Sequence, residues 1–263
     1  MKLYLKGIKS YQLDLGIDCA VFCDPHLERT IHGIKRDHNE PERRIRTPLI
    51  CPHLLSILYH LRLDTYDNIV LQAAFTLAFA AFLRIGEFTY LDADKQLGHT
   101  FSRWFLTKGS IHVAQDASYL ELTIHASKTD PFRKGIMLTI AATNDLACPV
   151  HSMRKLQAID SHCPPHAPLF CVGKHDPYSF LREYIVQRLQ ELAATAGLEG
   201  DNWNGHSFRR GAATWAAQVG ISDTEIQVLG RWRSDAYKAY IEYTGEERIA
   251  LSKRFQHNQT ITR

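Results

Sequence analysis

No stretch of this 263-residue chain approaches the ~18 consecutive apolar residues that a membrane-spanning helix needs. The longest apolar segment, Ile69 to Leu83, is broken by Gln72 and runs into Arg84, so it reads as a buried core helix. An apolar block is also missing behind Lys2, Lys6 and Lys9, so Met1 to Ser10 is not a secretory signal. Intracellular residence is the expectation, nuclear if the source is eukaryotic and otherwise cytoplasmic. Cysteine is scarce: six in a chain of this length are too few for a disulfide scaffold. Cys19, Cys23 and His26 cluster, but no second ligand pair stands at a usual distance, so reduced thiols are expected and no structural metal. Repeats, low-complexity segments and an acidic tail are lacking too. With 45% hydrophobic and 22% charged residues, an ordinary globular protein remains. Charge of one sign is barely in excess: 31 Lys and Arg against 28 Asp and Glu give +3, with 14 histidines besides. That balance permits a polyanionic partner without requiring one.

Residues 1–34 show short helical periodicity but too little apolar material to bury a core alone. From Lys35 to Arg46 the chain is dense in charge, carries Pro41 and has no apolar period, as an exposed linker does, which places a domain boundary near residue 46. Beyond it, Pro48 to Leu61 and Asp67 to Leu83 have helical spacing. Tyr119 to Ala126 and Gly135 to Ala141 alternate instead, which predicts two half-buried strands around the polar turn Ser127 to Lys134, with Ser110 to Ala114 a possible third. Helices are then predicted over Pro149–Ile159, Ser179–Ala196, His206–Val219, Ser222–Leu229, Ser234–Tyr243 and Glu246–Phe255. The fold class is α+β, mainly helical, with a small antiparallel sheet inserted among the helices.

Four places along this pattern carry charge suited to a phosphate. His206 and Arg209 stand three apart at a helix start, so imidazole and guanidinium share a face where helix N–H groups favour an anion. Arg84 follows the apolar helix directly, and a guanidinium buried there needs an anion or Glu87 beside it. A structural Arg84–Glu87 pair and a functional arginine oriented by Glu87 are both open. Lys128 lies in the turn between the strands, where a solvated charge is the commoner role and a donor to phosphate or a leaving oxygen the alternative. Tyr237, Tyr240 and Tyr243 recur beside Arg231, Trp232 and Arg233. Two of the three suit packing, and one free phenol near cations suits a nucleophile.

In this order, Arg84, Lys128, His206 with Arg209, and Tyr240 resemble the tyrosine recombinase (phage integrase) family, over about residues 47–256. The segments LRIGEF, SKTDPFRKG, HSFRRGAAT and LGRWRSDAYKAYI are similar to the Crypton-like and DIRS-like recombinases of eukaryotic mobile elements. The first 46 residues resemble only the tail of that family's N-terminal core-binding domain, so the chain is expected to be shortened at its start. One position departs. The family usually carries His or Trp nine residues before its nucleophile, after a glycine; here Arg231 stands there and Trp232 one place later.

The resemblance implies transesterification on double-stranded DNA. Tyr240 would attack the phosphate to give a 3′-phosphotyrosyl link, with Arg84 and Arg209 on the nonbridging oxygens. Lys128 would protonate the leaving 5′-oxygen, His206 would assist the phenol's proton transfer, and Arg231 or Trp232 would hold the phosphate from the other side. Arg210, Arg233 and Lys134 would contact DNA. The bond energy is kept in the covalent link and the arginines supply the charge, so no cofactor and no metal are implied. Several protomers would assemble on paired DNA sites from a chain that is monomeric alone, with no membrane partner. A noncatalytic DNA-binding descendant of the fold and a type IB topoisomerase use nearly the same residues and stay open as alternatives.

Overall fold

The computed structural model describes residues 2–37, 47–126, 134–173, 176–198, 202–232 and 234–241, with 245, 246, 248, 249, 252 and 253 beyond them. The chain divides into two compact units, Met1–Ile45 and Arg46–Arg263. In the first, helices α1 (Lys2–Asp14) and α2 (Pro25–Asp37) flank a 3-10 turn, Ala20–Cys23. Pro25 opens α2, where its missing N–H costs nothing, and Glu28 meets the positive end of the helix dipole. Cys19 and Ile31 are the buried side chains among the described residues of this unit, and the Cys19 thiol donates to the carbonyls of Lys9 and Ile17. Among the described residues no group of His, Cys, Asp and Glu is placed to hold a metal ion. All six cysteines are free.

The second unit begins with α3 (Cys51–His60) and is built around α4 (Tyr66–Ala80). Thr65 caps α4 by accepting from the Asn68 N–H, and Ile69 through Ala78 are buried on every face, as expected of a helix at the centre of a core. Phe82 then takes φ 50°, which ends the helical run. Arg84 caps the single turn α5 (Ile85–Phe88). A 3-10 run, Asp92–Arg103, follows; it is kinked at Gly98 (φ 49°) and carries no apolar period by which the sequence could announce it.

Strands β1 (Ile111–Val113), β2 (Tyr119–Ile124) and β3 (Ile136–Ala141) form one antiparallel sheet in that order, with Leu122 paired to Ile111 and to Leu138. On β2 the alternation buries Leu120, Leu122 and Ile124. The sheet connects to α6 (Pro149–Ile159), which packs on α4. Next come α7 (Arg182–Thr195), α8 (Ser207–Gln218), α9 (Asp223–Leu229) and a 3-10 segment, Asp235–Tyr240. α7 starts three residues later than its periodicity predicts because Ser179 is held back: its Oγ accepts from Val172 N–H (2.8 Å) and donates to the Val172 carbonyl (2.5 Å). The predicted helix over Ser234–Tyr243 is corrected to that shorter 3-10 segment, since Ile241 is extended.

Candidate active site

Arg84, as the cap of α5, is three residues from Glu87, and the pair closes on itself. The Arg84 backbone N–H donates to Glu87 Oε2 (2.9 Å) and Nη1 donates to Oε1 (2.8 Å). Glu87 serves a second arginine as well: Arg231 Nη2 donates to its Oε2 (2.9 Å), and Arg231 Nη1 to the Ala81 carbonyl (2.8 Å). The side chains of Glu87 and Arg231 are 4% and 8% exposed, that of Arg84 23%. Arg231 takes φ 57°, a left-handed conformation that costs a non-glycine residue of order 1–3 kcal/mol.

The other contributor is α8. Its first turn is pinned by Ser207, fully buried, whose Oγ accepts from the Asn204 N–H (3.0 Å), and by Asn204 Oδ1, which accepts from the His206 N–H (2.9 Å). His206 is the exposed N-cap residue. One turn on, Arg209 is 2% exposed; Nη1 donates to the Phe82 carbonyl and Nη2 to the Gly230 carbonyl, both at 2.6 Å. Its guanidinium lies over the Trp232 ring at 4.1 Å, a cation–π contact. Burial, then the charge of Arg84, and also that of Arg231, push the Arg209 guanidinium down to about 9, against the opposing pull of Glu87 and Tyr240. Burial likewise lowers Arg231, offset in part by Glu87. The group therefore sets three guanidinium groups against one carboxylate. A positive surplus so shielded from water attracts an anion strongly.

Trp232 ties this charge to the tyrosine. Its ring meets Phe82 edge-on (6.1 Å) and tilts against Tyr237 (5.7 Å) and Tyr240 (5.9 Å). A Cβ on Gly230 would stand 1.5 Å from that ring, so only glycine lets the indole fold back here. Tyr240 is half-buried, its carbonyl accepts from Thr214 Oγ1 (2.7 Å), and the Arg210 guanidinium sits 5.6 Å above its ring. Tyr237 is buried and packs.

Of the residues singled out in the sequence, Arg84, Glu87, Arg209, Arg210, Arg231, Trp232 and Tyr240 gather here, and His206 precedes Arg209 at the surface. Lys134 is exposed just ahead of β3. Lys128, Arg233 and Tyr243 lie outside the described residues. Arg231 turns inward to Glu87, whereas Trp232 covers Arg209. Thr214 was not foreseen, although it falls inside HSFRRGAAT, because a threonine's hold on a distant carbonyl leaves no pattern.

No protein-family model matches this chain, and no curated protein does. Solved structures do. The XerA recombinase superimposes with a TM-score of 0.55 at 15% identity, over 97% of this chain and 75% of its own. The XerH site-specific recombinase bound to difH substrate gives 0.54 at 12%, over 84% of this chain. A lambda integrase dimer bound to a COC′ core site gives 0.50 at 19%, over 78%. This chain spans 56% of the XerH chain and 51% of the integrase chain. The described residues thus have a mostly helical fold with a small antiparallel sheet, which matches the tyrosine recombinase catalytic domain fold.

Proposed function

We propose that this protein is a tyrosine-type DNA strand transferase, a recombinase or integrase that cuts and rejoins duplex DNA. The observation that carries the reading is the cluster in which Arg84 and Arg231 share the Glu87 carboxylate and Arg209, held by two backbone carbonyls, lies under Trp232 in a site that ends at the Tyr240 side chain. A phosphodiester supplies the missing negative charge. In the reaction the Tyr240 oxygen bonds to phosphorus while the bond to the 5′-oxygen breaks; the phenol's proton leaves by way of His206, and Lys128 protonates the departing 5′-oxygen. Charge that grows on the nonbridging oxygens is met by Arg84 and by the N–H groups that Arg209 has not given to carbonyls. Trp232, rather than Arg231, faces the phosphate, since the Arg231 side chain is spent on Glu87 and Ala81. The segments LRIGEF and HSFRRGAAT support the narrower reading of a mobile-element recombinase of the Crypton-like or DIRS-like kind, and the DNA-bound neighbours support protomers acting together on paired duplex sites.

The test is trapping on a pool of nicked duplexes, where the cut end diffuses away. The wild-type chain is expected to form an adduct that survives denaturant, and Tyr240→Phe to bind DNA without forming one. Arg209→Ala should slow adduct formation by ~10²–10³. A second reading, a noncatalytic DNA-binding protein, is favoured by one observation: Arg209 is already satisfied by two carbonyls and covered by Trp232. Wild-type binding with no adduct on any duplex would decide for it.

A further inference from the structure

We infer that Arg182 holds a DNA backbone phosphate next to the reacting one, which rests on the strand-transfer reading above. Arg182 opens α7, and its backbone N–H donates to the Tyr90 carbonyl (3.0 Å) while Leu181 bridges Tyr90 in parallel. That tie brings the start of α7 against α5. The Arg182 Nη2 lies 2.9 Å from where a Cβ on Gly86 would stand, and Gly86 is two residues beyond Arg84. A Cβ on Gly205, which precedes His206, would stand 2.6 Å from the Ile85 side chain. Arg182 and His206 therefore both flank the single turn that Arg84 caps.

What sets Arg182 apart from the other three is that, among the described residues, its side chain has no partner. Arg84 and Arg231 share Glu87, and Arg209 has two carbonyls. Among the described residues the Arg182 side chain takes no hydrogen bond and no ion pair, and its Nε is buried unpaired. Leaving such a group unsatisfied is costly, so the position is suited to an anion that arrives from outside. A guanidinium offers the forked donors that a phosphate accepts. Phosphates follow one another along a strand at about 3.4 Å of helix rise, so any phosphate at Arg84 brings neighbours with it.

Binding of a short labelled duplex of arbitrary sequence, measured against salt, tests this. Arg182→Met keeps the apolar stem and should lower the slope of log affinity against log salt by about one; Arg182→Lys should restore it. Gly86→Ala keeps the charge but displaces the guanidinium, and should also weaken binding. Thermal unfolding shows whether each variant is folded. A folded Arg182→Met with the wild-type slope overturns the inference; if that variant does not fold, a wild-type slope in a folded Arg182→Gln overturns it instead. Adduct trapping on nicked duplexes is run beside it. Wild-type binding without an adduct sinks the strand-transfer reading while the slopes still decide Arg182.

Discussion

Glu87 is the carboxylate on which two arginines depend, so its removal is expected to cost far more than the loss of a surface ion pair. Glu87→Ala would leave Arg231 buried with only the Ala81 carbonyl and would release Arg84 from its cap. Breaking one side of a buried pair costs about 3–5 kcal/mol. The expected outcome is a drop of that size in urea unfolding, with Glu87→Gln losing less because its carbonyl oxygen still accepts from one arginine. A loss within the ~0–1 kcal/mol of an exposed pair would show that the bridge does not form. Half of this arrangement was legible. A guanidinium placed directly after an apolar helix needs an anion or Glu87 beside it, which pointed to the Arg84–Glu87 contact, but Arg231 reaches Glu87 from 144 positions away, and counting residues back from Tyr240 left Arg231 and Trp232 as rivals. What separates the two is how they are placed: Arg231, at φ 57°, reaches Glu87, while Trp232 covers Arg209.

Among the elements, those with a strong apolar period were read well and those without one were not. α6 was predicted over its observed span, and β2 and β3 within a few residues, because α6 and β2 repeat their buried positions at one period and β3 alternates half-buried Leu138 and Ile140 with exposed neighbours. The 3-10 run Asp92–Arg103 and the late start of α7 are set by local hydrogen bonds and a kink, which no periodicity reports. The same holds for how α8 is seated. Leu49 N–H donates to the Ser207 carbonyl (3.0 Å), and a Cβ on Gly211 would stand 1.9 Å from the Leu49 carbonyl oxygen. The obstacle is backbone, so it cannot swing aside. Gly211→Ala should therefore destabilise by about 1–3 kcal/mol or more through overpacking, despite alanine's better helix propensity. Because α8 carries Arg209, the variant should also bind DNA with a changed salt slope even where it remains folded. An unfolding midpoint at or above that of the wild-type chain would mean that this close approach is absent.

At the scale of the whole molecule the two units differ in what they can bury. The second has a continuous apolar core from Leu49 to Phe208. In the first, Tyr4, Tyr11 and Leu15 stay exposed, and the buried side chains among its described residues are Cys19 and Ile31. α1 and α2 are 13 residues each, near the ~12–15 at which an isolated helix is marginal in water. Amide hydrogen exchange should therefore separate the units: α1 and α2 exchanging through local opening, α4 only through global unfolding. If the first unit takes part in binding DNA, adding duplex DNA should slow exchange in α1 and α2 while leaving α4 unchanged. Protection in α1 equal to that in α4 without DNA would mean that the first unit has a partner surface of its own. Unchanged exchange in α1 and α2 with DNA bound would place DNA recognition in residues 47–263 alone.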